Sequence, residues 1–331
     1  MSKNLLKAVA LIFISAVAAS CAKDVSESSE TIQNRILESW ISVNYGGTAT
    51  KTASGAYIIS SEMGTGAKVG DSSYVYVNYS TKQLNGDYVT TNRQSTAQQL
   101  GTFSYSAYYG SNTWRLGQGA IYPGIEEVLK GMKQGGKVTI VLPPSLTVIT
   151  NALYSNFSSS GETENIIYEI EVVDVVEDQY EYEKSVLEKY SADYFNGMDS
   201  IVEGFYFKKS VEVAASDTIE NEATIKIRYI GRLLNGFVFD TNIQDTAKKY
   251  RIYDSSNDYK ALDATFNTDL ATYIENNSVV TGFAKAIVGM RYGEKATAFF
   301  WSPMGYKESG KSGTIPEYSP LCFEVYIEPK N

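Results

Sequence analysis

One pattern of residues occurs twice along this chain of 331 residues, and this repetition constrains the possible fold strongly. The first occurrence is an alternating stretch at 75–79 (VYVNY), followed by Leu-Asn-Gly at 84–86. Such alternation predicts a β-strand, and Asn-Gly is typical of a tight hairpin turn. Residues 225–229 (IKIRY) and 234–236 (LNG) repeat the arrangement 150 positions later. We therefore predict two copies of one structural unit.

A second repeated block predicts a short helix in each copy. Residues 124–132 (GIEEVLKGM) recur 158 positions later at 282–290 (GFAKAIVGM), with apolar residues at helical spacing in both. Strand-like segments precede and follow each helix, which favours an α+β unit with a curved antiparallel sheet wrapped on the helix. The larger offset predicts a longer loop in the second copy, which we place at 241–277.

Composition excludes several classes of function. The net charge of −9 argues against nucleic acid as a partner. The chain has no histidine and only two cysteines, Cys21 and Cys322, so Ser-His and Cys-His catalysis and the usual metal sites are excluded. We expect neither a metal nor a cofactor. Cys322 lies in an alternating strand, and we interpret it as a core residue.

The start of the chain is typical of a lipoprotein signal peptide. Lysines flank the beginning of an apolar run, and small residues lead to Cys21. We predict a signal peptide at 1–20, acylation of Cys21 and a polar tether at 21–31. An ordinary secretory signal is the alternative. Lys23-Asp24 resembles the acidic surface-export tags of Bacteroidetes lipoproteins, although a solvated charge pair in a linker is the simpler interpretation.

Two segments outside the repeated blocks show helical spacing. Apolar residues between Ile32 and Trp40 predict a short amphipathic helix before the first copy. The charged, tyrosine-rich stretch at 177–194 predicts a helical connector, and the alternative is that it repeats the helix near Trp40. These patterns divide the chain into a first unit at 32–176, the connector at 177–194 and a second unit at 195–331.

The second copy resembles the FKBP-type peptidyl-prolyl cis-trans isomerases. The similarity rests on ordered blocks at 229–240, 279–283, 289–294, 303–306, 315–316 and 321–325, which cover most of residues 223–328. The resemblance implies a proline-binding pocket lined by Tyr229, Phe239, Asp240, Val279, Val280, Phe283, Tyr306, Ile315 and Phe323. It also implies that the Tyr306 hydroxyl and the Ile315 N–H hold carbonyl groups of the peptide. No nucleophile is needed, because isomerisation only rotates an amide bond.

Other positions depart from the family pattern. Phe283 stands where many members have tryptophan, and Lys307 follows Tyr306 in place of the usual glycine. In the predicted long loop, Lys248, Lys249 and Arg251 are candidates to pair with Asp240. In the first copy, Val89 and Thr90 stand at the positions of Phe239 and Asp240, and no counterpart of Tyr306 can be placed. Ala120 and Ile121 stand at the positions of the valine pair, and Ile125 at that of Phe283. We therefore interpret the first unit as a catalytically degenerate member of the family.

These expectations combine into one functional hypothesis. The protein would be a tethered prolyl isomerase that helps exported, proline-containing polypeptides to fold, with catalysis in the second copy alone. We expect it in the outer membrane of a Gram-negative bacterium, bound to the bilayer through Cys21 and facing the periplasm or the cell surface. One alternative is a binding or assembly module without turnover. A surface glycan-binding protein is another, suggested by 26 tyrosines and the lipid anchor. The aromatic segment at 103–110 is interpreted either as a surface that grips unfolded chain or glycan or as a packed loop.

Overall fold

The computed structural model describes residues 27–151, 157, 159–214 and 217–330. Cys21, the signal peptide and the Lys23-Asp24 pair lie outside the described residues. The helices described are α1 Ser29–Tyr45, α2 Gln94–Leu100, α3 Pro123–Leu129, α4 Gln179–Phe195, α5 Gln244–Lys249, α6 Leu270–Asn277 and α7 Thr281–Val288. The strands are β1 Thr50–Lys51, β2 Tyr57–Glu62, β3 Tyr74–Gln83, β4 Tyr88–Thr91, β5 Asn112–Arg115, β6 Lys137–Leu142, β7 Ile166–Val176, β8 Phe205–Val211, β9 Thr224–Leu233, β10 Val238–Thr241, β11 Leu262–Thr265, β12 Lys295–Phe300 and β13 Leu321–Ile327.

The strands form two antiparallel sheets, one in each copy. The first sheet has the order β1-β2-β6-β7-β3-β4, with β5 also paired to β3. The second has the order β10-β9-β13-β12-β8, with β11 also paired to β9. The expected fold class, two α+β units joined by a helical connector, is confirmed. Among the described residues, no helix is long and apolar enough to cross a membrane.

The short repeated helix carries the core of each unit. In α7 the predicted stripe, Phe283, Ala286 and Ile287, is buried against β12 and β13, and Met290 just beyond the helix is buried with it. Each such apolar side chain larger than alanine contributes roughly 1.5–3 kcal/mol when it is removed from water. The stripe of α3 is buried in the same way in the first unit. Helical spacing in the sequence therefore located the core-facing side of both helices.

An asparagine, buried in the first copy and half-buried in the second, fixes the same turn in both. The side-chain amide of Asn242 donates to the carbonyl of Ile227, and its oxygen accepts from the N–H of Tyr229. Asn92 makes the corresponding bonds to Val77 and Tyr79, 150 positions earlier. Each asparagine thereby anchors the chain that leaves the second strand of the hairpin, and the same frame supports both copies.

The connector helix repeats the N-terminal helix. Leu37 and Trp40 of α1 pack on the outer face of the first sheet, and Leu187 and Tyr190 of α4 pack on the outer face of the second. Each residue of α4 stands 150 positions after its counterpart in α1. The alternative interpretation of 177–194, as a second version of the helix near Trp40, therefore describes the packing.

The second copy has the longer loop that the two offsets predicted, but it is longer by only eight residues. The first copy has an equivalent segment, in which α2 and β5 correspond to α5 and β11. Even the turn between them is shared, because Tyr109 accepts a hydrogen bond from the Ser104 N–H as Tyr259 does from that of Asp254. The second copy adds only α6, whose eight residues account for the difference between the two offsets.

The aromatic segment at 103–110 packs partly against the second copy. The N–H of Tyr108 donates to the carbonyl of Gly313 at 2.8 Å, and its ring contacts Phe237 edge-on at 5.5 Å. The guanidinium of Arg251 lies over the ring of Tyr105, 4.8 Å from its centre. The segment thus joins the two copies, which favours the packed-loop interpretation for Tyr108.

Candidate functional site

A cavity of about 330 Å³ opens on the second copy, and eight of the nine predicted pocket residues line it. They come from separate elements: β9, β10, the segment before α7, α7 itself, the turn after β12, and β13. The fold therefore brings together residues that are almost 100 positions apart. The lining consists of Tyr229, Phe239, Asp240, Val279, Val280, Phe283, Tyr306 and Phe323, together with Leu262 and Ser278.

Aromatic rings form the apolar part of the cavity. Phe283 meets Phe323 edge-on at 5.2 Å, and Phe239 meets Phe323 at 5.6 Å in the same type of arrangement. Edge-to-face contacts of this kind fix the orientation of each ring. Gly231 makes room for them, since a Cβ atom there would lie 2.6 Å from the ring of Phe239 and 2.9 Å from that of Phe323. The site is rigid because its walls hold one another in place.

The polar side chains of the cavity include two tyrosine hydroxyls, the Ser278 hydroxyl and one carboxylate. Tyr229 donates to Asp240 at 2.9 Å. Burial, followed by the charge of Asp240, raises the pKa of Tyr229. The same two causes, in the same order, raise the pKa of Tyr306. Both tyrosine hydroxyls therefore remain protonated at neutral pH, and Tyr306 can donate to a ligand.

The hypothesis that a basic residue of 241–277 pairs with Asp240 was not supported by the geometry. Lys248 and Lys249 lie over the rings of Tyr253 and Tyr250, and Arg251 turns to Tyr105. In the part of the chain that the structure describes, the side chain of Asp240 accepts a hydrogen bond from Tyr229. The charge of the carboxylate is thus directed at a neutral hydroxyl.

Tyr306 is presented by a short turn that leaves β12. A 3-10 helix at Ser302–Met304 is followed by Gly305, Tyr306 and Lys307, whose φ of 53° is left-handed. Glycine adopts that conformation without a steric cost, whereas other residues lose about 1–2 kcal/mol there. This geometry explains why a glycine would suit the position that Lys307 occupies.

Ile315 does not have the role that the resemblance implied. Its side chain is 2% exposed in the core, and it does not line the cavity. Its N–H donates to the carbonyl of Lys311 at 2.8 Å, within a tight loop that is closed again by the reverse bond from Lys311 to Ile315. In this structure the N–H is therefore engaged and cannot hold a peptide carbonyl.

Comparison with known proteins identifies the family. The family model described as FKBP-type peptidyl-prolyl cis-trans isomerase matches residues 66–173 and 215–328, which is most of the chain. The chain belongs to this family. Its two matched regions coincide with the two structural units, so the tandem arrangement is confirmed.

The FKBP-type relatives are distant in sequence. A probable FKBP-type peptidyl-prolyl cis-trans isomerase of Haemophilus influenzae is 26% identical over 143 residues, which cover 42% of this chain and 49% of the relative. Peptidyl-prolyl cis-trans isomerase FKBP53 of Arabidopsis thaliana is 32% identical over 105 residues, or 31% of this chain and 17% of the relative. The chain thus spans half or less of the length of these curated relatives.

Two of the solved structures that match this chain come from wheat and from Escherichia coli. The three FKBP domains of wheat FKBP73 match with a TM-score of 0.29 and 15% identity, covering 84% of this chain and 95% of that one. FkpA from Escherichia coli matches with a TM-score of 0.33 and 19% identity, covering 53% of this chain and 74% of that one.

The FKBP-type cavity contains two residues that the sequence analysis missed. Leu262 lies on β11, and Ser278 ends α6 with a left-handed φ of 53°. Ser278 directly precedes the predicted pair Val279 and Val280, so its proximity in sequence was a usable signal. No signal in the sequence pointed to Leu262, because it reaches the cavity through the pairing of β11 with β9.

In the first FKBP-type unit the corresponding space is filled by aromatic rings. Tyr79 occupies the position of Tyr229, and Tyr168 that of Phe323, since Tyr168 pairs with Ile140 as Phe323 pairs with Ala298. The first unit adds three further rings that join them in one cluster, with centroids 4.6 to 6.3 Å apart: Trp114, Tyr122 and Phe157.

A larger cavity, of about 490 Å³, lies on the outer face of the second sheet. Its lining includes Arg228, Asp245, Lys295 and Glu324, and it lacks the interlocked rings of the first site. Charged side chains of both signs surround it, as on an ordinary solvated sheet face. The aromatic cavity is therefore the candidate site of the second unit.

Proposed function

We propose that the second copy catalyses cis-trans isomerisation of Xaa-Pro bonds in polypeptides. One observation carries the proposal: eight residues implied by the family resemblance surround a single apolar cavity with a hydroxyl donor at its side. A volume of about 330 Å³ falls in the range of small-ligand pockets, which is roughly 300–1,000 Å³. A proline ring and its flanking amides fit that size class.

The chemistry requires only differential stabilisation of a twisted amide. Rotation about the bond is opposed by a barrier of about 18–20 kcal/mol, because the planar amide is resonance-stabilised. Twisting removes this resonance and reduces the charge separation, so an apolar site favours the twisted state over the planar one. Phe239, Phe283 and Phe323 would supply the apolar surface around the proline ring.

The polar groups would orient the peptide in this site. The Tyr306 hydroxyl would donate to a carbonyl next to the proline, and the bond from Tyr229 to Asp240 would hold both of those side chains at the rim. No proton is transferred and no covalent bond is formed or broken. Each of these groups would orient the peptide without exchanging a proton with it. The loss of activity on removing a group should therefore depend on its geometry and not on its acid strength.

The experiment is a proline-peptide isomerisation assay on the full chain. Wild type should accelerate cis-trans exchange, and the double variant Phe239→Ala with Asp240→Leu should lose the acceleration because both the ring and the carboxylate are gone. The matched control is Val89→Ala with Thr90→Leu, which alters the same two positions of the first copy and should leave the rate unchanged.

Two outcomes would count against catalysis. Exchange at the uncatalysed rate with a folded wild-type chain would refute the proposal. Peptide binding without acceleration would do the same and would establish the alternative, a binding module that lacks turnover.

We also propose that Cys21 is acylated and ties the protein to the bilayer, with exported polypeptides as its substrates. The support is the basic and apolar leader that ends in small residues before this cysteine. More than one acyl chain is needed for stable anchoring. Labelling of cells with a tagged fatty acid should mark the wild type and not Cys21→Ala; equal labelling of the two would exclude the lipid site.

A further inference from the structure

A carboxylate is buried where the connector helix meets the second copy. Glu183 of α4 is 1% exposed. One of its oxygens accepts from the N–H of Ser302 at 2.6 Å, and the other accepts from the Ser302 hydroxyl at 2.7 Å. Gln179 donates to the latter oxygen at 3.3 Å. A charge so deeply buried is costly unless it is fully hydrogen-bonded, so these contacts hold Glu183 and Ser302 firmly together.

Ser302 in turn determines the conformation of the turn that carries Tyr306. The carbonyl of Ser302 accepts from the N–H of Gly305 at 2.8 Å and from the N–H of Lys307 at 3.0 Å. These two residues flank Tyr306 directly. A continuous series of hydrogen bonds therefore runs from the Glu183 carboxylate to both sides of the pocket tyrosine.

The same series extends into the first copy. The side chain of Gln179 bonds with the hydroxyl of Tyr76, at 2.8 Å as donor and 3.2 Å as acceptor. Tyr76 lies on β3, which pairs with β4, β5 and β7 in the first unit. The connector helix thus contacts the first unit through Gln179 and, through Glu183, the turn of the second unit that carries Tyr306.

The arrangement is peculiar to the second copy. The counterpart of Glu183, 150 positions earlier, is Gln33, which bonds instead to Asn165 at the start of β7. The counterpart of Ser302, 158 positions earlier, is Pro144, which has no N–H to donate. Of the two units described, only the one with the open aromatic cavity has this hydrogen-bonded contact between Glu183 and Ser302, which we call the clamp.

We propose that Glu183 is a positioning residue for Tyr306, and that through it the first copy and the connector set the geometry of the prolyl pocket. This inference rests on the proposed function, since it assigns a role in the same site. Glu183 touches no part of the pocket, so its effect on a substrate passes through Ser302 and the turn.

The clamp would also respond to pH. Burial raises the pKa of Glu183 to about 7, against the opposing effect of its bonds from Ser302 and Gln179. The titratable groups around it include Tyr74 and Tyr76 from β3 and Tyr180 from its own helix; Tyr182, Glu317 and Tyr318 share the adjoining groove. Burial raises the pKa of each of these tyrosines as well, so they stay neutral near pH 7. The adjacent Lys184 is engaged by Glu181 and Glu203.

The first measurement is hydrogen exchange of the 302–310 segment, which does not depend on activity. Glu183→Ala should speed exchange at the amides of Gly305 and Lys307, because Ser302 is released. The control is Glu188→Gln, which removes an exposed carboxylate of the same helix and should change nothing. Unchanged exchange in a folded Glu183→Ala chain would overturn the proposal, whether or not the protein proves to be an isomerase.

The second measurement is a double-mutant cycle on kcat/KM. Tyr306→Phe should lower kcat/KM roughly tenfold in wild type and less than twofold in Glu183→Ala, because the tyrosine is already misplaced there. Equal losses in both backgrounds would mean that Glu183 acts on stability alone, and would refute positioning. If wild type shows no isomerisation at all, the proposed function fails, and the exchange measurement alone decides the role of Glu183.

The third measurement is the pH profile, with a variant chosen to preserve the fold. Glu183→Gln keeps the size of the side chain and has no proton to gain. Wild-type kcat/KM should fall roughly fivefold as the pH drops from 8 to 5.5, because the protonated carboxyl loses one of its accepting positions. The Glu183→Gln profile should be flat; parallel profiles for the two proteins would contradict the proposed role.

Discussion

The two copies of this chain share a frame and differ in what fills it. In the second copy, Gly231 lies beside Phe323 on the paired strands, and the space in front of them is open. In the first, Thr81 lies beside Tyr168 in the same register, and aromatic rings occupy that space. The backbone arrangement is therefore compatible with either outcome. A few side chains decide whether an FKBP-type unit has a ligand cavity.

What is shared between the copies is the part that sets the backbone. The asparagines Asn92 and Asn242 anchor the same turn, and α1 and α4 cover the same sheet face. The copies differ in the pocket and in the clamp from Glu183, and also in α6 and in the number of strands. Structural and functional requirements thus fall on separate residues, which lets each be tested by exchanging residues between copies.

The largest expected effect comes from making the second copy resemble the first at one residue. Gly231→Thr places a side chain where a Cβ atom already lies 2.6 Å from the ring of Phe239, so the aromatic walls must shift into the cavity. We expect isomerisation to fall to near the uncatalysed rate and stability to fall by about 1–3 kcal/mol. The peptide assay and thermal unfolding measure the two effects.

The reverse exchange is the matched control for this prediction. Thr81→Gly removes the side chain at the corresponding position of the first copy and should leave isomerisation unchanged. Full activity in Gly231→Thr would show that the cavity of the second copy is not the catalytic site.

The next effect concerns the pH dependence of stability and compares Glu183 with Gln33. Because the pKa of Glu183 is raised from 4.5 to about 7 on folding, the folded state holds this proton more tightly than the unfolded state. The free energy of unfolding should therefore fall as the pH rises from about 4.5 to 7, by on the order of 3 kcal/mol from this group.

The difference between wild type and Glu183→Gln isolates this contribution from those of the other carboxylates. Denaturant unfolding at pH 4.5, 6 and 7.5 should show the wild type losing stability relative to the variant as the pH rises. A constant difference between the two proteins would mean that the carboxyl is not buried as described. In the first copy the corresponding residue is Gln33, whose amide does not titrate. We therefore expect no such pH dependence of stability from that position.

The shared asparagines should have equal effects in both copies. Asn92→Ala and Asn242→Ala each leave a buried N–H and a buried carbonyl without their partner, which costs about 1–3 kcal/mol. Denaturant unfolding measures each loss, and the exposed Asn257 provides a control whose replacement by alanine should cost little. A loss in only one copy would show that the common frame is not equally important to both.

Much of this organisation could be predicted from the sequence, because it depends on local periodicity. The stripe in α7 and the hairpin residues specify their elements directly, and ordered family blocks pointed to eight residues of the cavity. The role implied for Ile315 was not found, because its N–H donates to the carbonyl of Lys311. No local sequence pattern reveals the conformation of the loop that makes this bond. Glu183 and Leu262 were missed for a related reason, since each acquires its role from a contact far away in the sequence.

The equivalent of this loop in the first copy was missed for a different reason. The segment containing α2 has no strong apolar periodicity, so its correspondence with α5 could not be seen in the sequence. The difference between the two offsets nevertheless equals the length of α6, the helix that the second copy adds. Counting residues between repeated blocks gave the size of the insertion, and only the structure gave its position.

The smallest expected effect tests the strained residue beside Tyr306. Lys307 has a φ of 53°, so Lys307→Gly should relieve a local cost and stabilise the chain by up to about 1 kcal/mol, after the greater flexibility of glycine when unfolded is deducted. Lys311→Gly in the same loop is the control, and it should destabilise slightly because Lys311 does not have a positive φ. Thermal unfolding of the two variants should therefore give shifts of opposite sign. Shifts of the same sign would mean that the turn presenting Tyr306 is not held in the left-handed conformation, and the geometry on which the Glu183 clamp depends would have to be revised.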